Sequence, residues 1–222
     1  MHILVFGGTG AVGLSFVQEA LKAGHRLTLY VRSPSKLPKN VQQNINVHIV
    51  EGDFSDMEAV KKALNDGADV LVSFVGPAIP NKGMAITEFY DKLFPLLPTD
   101  STIKRCFVLS TASYSAPEDR RSLKWWFGIL AIKLFLGTAY KEINGMSRAV
   151  TSLPTEQVEW TLFRVPGLTN SEAKPVRAGF IGDGKSDGIF ISRGSIAVWI
   201  LQELEERRWV NKAPSLCNVG WL

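Results

Sequence analysis

Residues 5–14 read VFGGTGAVGL. Gly7, Gly10 and Gly13 recur at intervals of three directly after the apolar run Ile3-Leu4-Val5-Phe6, with Gly8 and Thr9 between the first two. Glycine loses more conformational freedom on ordering than any other residue, so such a cluster needs a reason. A tight turn alone is one. The other is a backbone that must press against something large and anionic. The context favours the second. Residues 11–23 carry helical spacing at Val12, Phe16, Val17, Ala20 and Leu21 until Gly24 stops it, and Arg26–Val31 then reads as a second strand. In a strand–turn–helix of this kind Gly7 permits the sharp exit from the strand, Gly10 admits a pyrophosphate against the main chain, and Gly13 lets the helix lie close to the sheet. Thr9, Ala11 and Val12 complete the loop and first turn, where free N–H groups and the positive end of the helix dipole suit phosphate.

Strand and helix signals alternate onward. Strands are expected at 47–50, 68–75, 106–109 and 160–165; helices are expected from an Asp56 cap to Leu64, at 87–97 and at 198–206. Strands apolar on both faces imply a parallel sheet covered on both sides. The expected fold is α/β: a Rossmann-type doubly wound parallel β-sheet in three α/β/α layers, one domain over residues 1–222. Residues 179–188, GFIGDGKSDG, read as a surface turn or hairpin. The segment 125–137, WWFGILAIKLFLG, is apolar but shorter than the roughly 20 residues of a membrane span, and Lys133 interrupts it. It reads as a buried or substrate-covering helix, with an interfacial anchor or a partner-binding face as alternatives.

Composition narrows the function. Twenty-five basic and 21 acidic side chains leave a net charge of +4, too mild and too scattered to argue for nucleic acid. Cys106 and Cys217 make no metal spacing and read as reduced thiols of a cytoplasmic protein. His2, His25 and His48 have no metal-like spacing either, and structural or surface roles are expected. No cationic leader precedes Ile3 and no transmembrane segment is expected. The partner implied is a small-molecule substrate; a homodimer or a regulatory protein partner stays open.

The stretch after the second strand, YVRSPSK, selects the cofactor. A carboxylate there would grip a ribose 2′-hydroxyl. None is present, and Arg32, Ser33 and Lys36 offer charge and hydroxyl donors suited to a 2′-phosphate, so NADP(H) is preferred over NAD(H). The plainer alternative is solvated loop charge.

The motifs GGTGAVG, VRSPSKLP, GDFSD, VSFVGP, FVLSTASYS and EWTLFRVPGL, in this order, resemble those of the atypical short-chain dehydrogenase/reductase superfamily, in particular the NmrA-like NAD(P)H-binding proteins and the short biliverdin/flavin reductase B type. The resemblance runs over nearly the whole chain. It implies that Asp53 and Phe54 border the adenine and that Phe74, Val75 and Gly76 run beside adenine and ribose. It also implies that Ser110 and its neighbours to Ser113, with Pro166, Gly167 and Leu168, approach the nicotinamide. Ordinary core packing is the competing account of Phe54 and Phe74.

The superfamily's typical members pair a tyrosine with a lysine four residues on, which lowers the phenol pKa for proton transfer. Here YKEIN places Asn144 four residues after Tyr140, and an uncharged amide cannot supply that shift. The candidate catalytic groups are Thr111, Ser113 and Tyr140, although packing accounts for Tyr140 and backbone bonding for the hydroxyls equally simply. Trp125, Trp126 and Phe127 would wall a substrate pocket, with specificity carried by residues 113–140 and 167–195. The expected activity is NADPH-dependent reduction of a small carbonyl, quinone or flavin-like acceptor. An NADP(H)-sensing regulatory protein and a redox-neutral isomerase, dehydratase or epimerase are the rivals.

Overall fold

The structure is a computed structural model and describes residues 1–81, 83–185 and 187–220. β1 (His2–Phe6) is buried along its length, and its alternation sets the layers. Ile3 and Val5 enter one apolar cluster, Leu4 and Phe6 the other, because successive side chains of a strand take opposite faces. On the Ile3 side, α1 (Ala11–Lys22) and α8 (Arg193–Glu206) close the core through Phe16, Val17, Ile196 and Ile200. The short α2 (Lys39–Gln42) adds Val41. On the Leu4 side, α3 (Met57–Leu64), α4 (Ala85–Leu93), α5 (Leu97–Asp100) and α7 (Gly137–Thr151) contribute Val60, Leu64, Phe89, Leu97, Met146 and Val150.

Between the layers runs a sheet of eight strands. With β2 (Arg26–Val31), β3 (Val47–Glu51), β4 (Val70–Ser73), β5 (Arg105–Thr111), β6 (Glu159–Val165), β8 (Val176–Gly179) and β10 (Ser215–Asn218), its order is β3-β2-β1-β4-β5-β6-β10-β8. Neighbours pair in parallel except β8, which runs antiparallel to β10. β7 (Gly167–Thr169) and β9 (Phe190–Ser192) form a separate parallel pair. The expected α/β Rossmann-type fold is therefore present. The strand order reverses between β1 and β4, and the crevice outside the carboxyl ends of such strands is where open α/β sheets bind ligands.

Several boundaries differ from expectation. The fourth strand is limited to Val70–Ser73, since Phe74–Gly76 leave the sheet to line a cleft. The helix expected over 87–97 starts at Ala85 and ends at Leu93; Pro95 and Pro98, which cannot donate to an earlier carbonyl, divide the rest into a 3₁₀ turn and α5. α8 begins at Arg193, capped by the Ser192 hydroxyl accepting from Ser195 N–H at 3.1 Å. The glycine-rich stretch 179–188 forms turns, with Gly182 and Gly184 at φ +78° and +71°; Ser186 within it lies outside the described residues.

One helix corrects the sequence reading. α6 (Leu123–Phe135) forms where expected, but none of its residues is buried. It packs beside α7 and leaves Trp126, Phe127, Leu134 and Phe135 exposed.

Two of the histidines, His2 and His48, bond within the fold. His2 Nε2 meets the Thr28 hydroxyl at 2.7 Å, and His48 Nδ1 meets Asp66 at 2.9 Å, with Thr28 also donating to Asp66. Burial, then the charge of Arg26, lowers the His2 pKa against the pull of Asp66. Burial pushes the Asp66 carboxyl up, but the hydrogen bonds from Thr28 and His48 outweigh it and hold the pKa below the usual value.

A fully buried carboxylate, Glu142, organises the start of α4. α4 has no side-chain cap of its own. Glu142 of α7, fully buried, accepts from Ile86 N–H at 2.6 Å and Thr87 N–H at 2.9 Å. A carboxylate suits this helix start electrostatically. Glu142→Ala leaves both donors unpaired and is expected to lower unfolding free energy by about 1–3 kcal/mol in urea titrations.

Candidate active site

The glycine loop is built as its spacing requires. Gly7 adopts φ +75°, and a Cβ there would come within 3.0 Å of the Phe74 carbonyl carbon. A Cβ on Gly13 would overlap the Gly7 carbonyl oxygen. Gly10 N–H donates to Gly7 O at 3.0 Å, and Gly10 O accepts from Leu14 N–H at 2.7 Å, starting α1. No side chain caps this helix and its first turn holds no acidic residue, so the remaining donors and the positive dipole end face the cleft unopposed. The packed loop and uncapped helix start fit a dinucleotide pyrophosphate.

The cleft, about 460 Å³, is bordered by Gly7, Thr9, Gly10, Arg32, Phe54 and Val75 among others. Arg32 is exposed at its edge. Ser33 is half-buried and Lys36 exposed on the turn Pro34–Lys36; neither forms part of the cleft wall. Phe54 lines the cleft and stacks on Phe89 at 4.5 Å. Asp53 does not line it. Its carboxylate accepts from Ser55 Oγ at 2.6 Å and Ser55 N–H at 2.8 Å, bonds that hold its pKa below the usual carboxyl value. The Tyr30 hydroxyl donates to Asp53 O at 2.6 Å, and burial followed by the charges of Asp56 and Asp53 raises its pKa to about 12. Gly52 is required beside it, since a Cβ would run into the Tyr30 hydroxyl. Phe74 directs its ring into the core against Phe16 at 5.3 Å, while Val75 and Gly76 continue the wall. Ala11 is exposed on the first turn of α1, and Val12 is buried in the core.

A second cavity of about 480 Å³ adjoins the first, sharing Gly76 and Pro77. Thr111, Ser113 and Tyr140 line it together with Pro166, Gly167 and Leu168. No Asp, Glu, Lys, Arg or His lines it among the described residues. Asn144 donates from Nδ2 to Ser113 O at 3.1 Å and to Tyr140 O at 2.9 Å, so the amide in the lysine position ties α7 to the turn after β5. Lys133 of α6 places Nζ 5.9 Å from the centroid of the Tyr140 ring. Trp125 and Ile132 of α6 cover one side of the cavity, whereas Trp126 and Phe127 are exposed and do not line it. Ser110 departs from expectation: fully buried, it meets Ser147 Oγ at 2.8 Å beneath α7 and reaches neither cavity. At the carboxyl end of a strand, alternation turned Thr111 toward the cavity and Ser110 into the core.

Sequence reasoning missed the frame around this cavity. Arg164 of β6, 1% exposed, pairs with Asp119 through Nη1–Oδ2 at 2.6 Å and Nη2–Oδ1 at 2.7 Å. It also donates to Ala213 O at 2.8 Å and Tyr114 O at 3.0 Å. Asp119 accepts in addition from Ala116 N–H and Ile181 N–H. The available signal was an arginine inside the apolar strand EWTLFRV, because a buried guanidinium requires a carboxylate.

The profile of the family described as NAD(P)H-binding matches residues 7–207. The chain belongs to this family. Isoflavone reductase homolog P3 from Arabidopsis thaliana is 29% identical over 223 residues, an alignment covering 95% of this chain and 66% of that protein. The chain thus spans less than two thirds of that relative's length. Among solved structures, ChuY, an anaerobillin reductase from Escherichia coli O157:H7, superposes with TM-score 0.77 at 18% identity, covering 99% of this chain and 98% of that one. A short-chain dehydrogenase/reductase from Veillonella parvula DSM 2008 in complex with NADP gives TM-score 0.76 at 17% identity, covering 99% and 95%. The structural likenesses bear out the Rossmann fold, and the family match bears out the expectation of an NAD(P)H-binding chain.

For this NAD(P)H-binding chain the glycine cradle makes a direct prediction. Gly13→Ala forces the Gly7 carbonyl away from α1 and is expected to weaken NADPH binding at least about tenfold, measured by calorimetry on folded protein.

Proposed function

We propose that the protein is an NADPH-dependent reductase acting on a small, uncharged, conjugated acceptor such as a carbonyl compound, quinone or flavin. The observation that carries this reading is the apolar cavity adjoining the nucleotide cleft at Gly76 and Pro77, with Thr111, Ser113 and Tyr140 as its hydroxyls and no ionised side chain lining it among the described residues. An anionic substrate would find no countercharge there, whereas a planar neutral one is desolvated and held by the walls. Relatives named as reductases support the redox class.

When bound, the reduced nicotinamide supplies hydride. The chain's own residues bind and orient. The 7–13 loop and the start of α1 take the pyrophosphate, and Arg32 at the cleft edge takes the 2′-phosphate. Val75, Gly76 and Pro166-Gly167-Leu168 form the passage between the cavities. Thr111 and Ser113 direct the acceptor's oxygen. A conjugated acceptor needs no strong protein acid, since its reduced form takes a proton from water. That matches Asn144 in the lysine position, where it joins the Tyr140 turn to Ser113.

The test is to mix the protein with NADPH and a panel of quinones, flavins and aldehydes and to follow loss of nicotinamide absorbance. Turnover with a neutral conjugated acceptor is expected. Tight NADPH binding without turnover on any member replaces the reductase with a sensor, and product without net NADPH loss replaces it with a redox-neutral enzyme. Cofactor choice is read separately. Arg32→Ala is expected to raise the NADPH Kd about 10–100-fold, the worth of charge-assisted phosphate bonds, while changing NADH by less than about threefold. Equal losses for both coenzymes remove the 2′-phosphate assignment.

A further inference from the structure

α6 has two faces at helical spacing. Trp125, Ile129, Ile132 and Leu136 are half-buried, and three of them line the apolar cavity. Trp126, Phe127, Leu130, Leu134 and Phe135 are exposed, from 36% at Leu130 to 83% at Phe135. Single exposed apolar residues are ordinary, but a continuous row on one helix marks an interaction surface. Ile79 and Leu168, at the rim of the same cavity, are exposed as well, at 68% and 37%.

The charge along this stretch of sequence is one-sided. Residues 120–141 hold Arg120, Arg121, Lys124, Lys133 and Lys141 and no aspartate or glutamate, in a chain whose basic and acidic totals are 25 and 21. All five cations are exposed. Lys124 donates to the Asp187 carbonyl, and Asp187 Oδ1 accepts from Gly182 N–H at 2.8 Å. A second copy of the chain meeting this face across a two-fold axis would set the same cations against each other. A helix of 13 residues is also too short to cross a bilayer.

We propose that α6 docks the protein on an anionic phospholipid bilayer, lying in the interfacial plane with Trp126, Phe127, Leu134 and Phe135 among the acyl chains and the flanking cations at the headgroups. Aromatic and aliphatic side chains beside lysine and arginine are what such a surface takes up. The cavity beneath α6 then opens beside the bilayer, so a lipophilic acceptor enters it without crossing water. That route rests on the reductase reading; the docking does not.

The experiment is flotation of the purified full chain with phosphatidylcholine vesicles, with and without phosphatidylglycerol, at low and high salt, alongside quenching of tryptophan fluorescence by lipids brominated in the acyl chain. Expected are flotation on the anionic vesicles, its weakening by salt, and acyl-chain quenching. The double variant Trp126→Glu, Phe135→Glu alters two exposed side chains and is expected to reduce partition at least about tenfold while NADPH binding stays unchanged. Failure of the native, NADPH-binding protein to float on anionic vesicles overturns the proposal. So does flotation that the double variant leaves intact, or a dimer in sedimentation that the double variant disperses. None of these readouts requires turnover, so their failure leaves the reductase reading standing and is distinguishable from its failure.

Discussion

The half of the molecule that holds the uncharged cavity hangs on one guanidinium. Arg164 sits in a central strand with essentially no water around it, and its fork meets both oxygens of Asp119 while its other donors reach Ala213 and Tyr114. A buried ion pair is a weak source of net stability, because desolvation cancels much of the attraction; its value lies in geometry. Here it joins the loop after β5, the strand β6, the turn at Ile181 and the approach to β10 at a single point. The turn holding Thr111 and Ser113 is thereby fixed relative to Pro166 and Gly167, and the walls of the cavity keep their spacing.

The nucleotide side depends on a different constraint, the absence of side chains. Gly7, Gly13 and Gly52 each stand where a Cβ would strike a backbone atom or the Tyr30 ring system. Close approach in this half and a charge pair in the other meet at Gly76 and Pro77, beyond the end of β4, where the chain borders both cavities.

This difference explains what could be read from the sequence. The glycine cradle was legible because every residue it needs lies within one stretch of chain, and the central strands because burial on both faces leaves continuous apolar runs. Asn144 in place of lysine was legible for the same local reason. Arg164 and Asp119 lie 45 positions apart, and Glu142 caps a helix 55 positions before it; neither pairing leaves a local pattern. β7, β8, β9 and β10 have three or four residues each, too few for alternation to register, and their partners define them. Ser110 and Phe74 were assigned to the cofactor by their place in a motif. Strand alternation sent the Ser110 hydroxyl to Ser147, whereas Phe74, beyond the end of β4, packs its ring on Phe16 while the residue still borders the cleft.

The exposed row on α6 was not legible as such, since the apolar run interrupted by Lys133 read first as a buried or substrate-covering helix, with an interfacial anchor only as an alternative. Apolarity alone could not say which side would be covered. A helix apolar all round belongs in a core or a bilayer, yet α6 packs against α7 and the cavity and leaves Trp126, Phe127, Leu134 and Phe135 exposed. Trp125 and Ile132 line the cavity on one face of α6, while Trp126, Phe127, Leu134 and Phe135 give the other a surface that water solvates poorly. Under the docking and reductase proposals together, one short helix separates the acceptor's solvent from the site that reduces it, and the absence of ionised groups in the cavity becomes a matching of polarity across that helix.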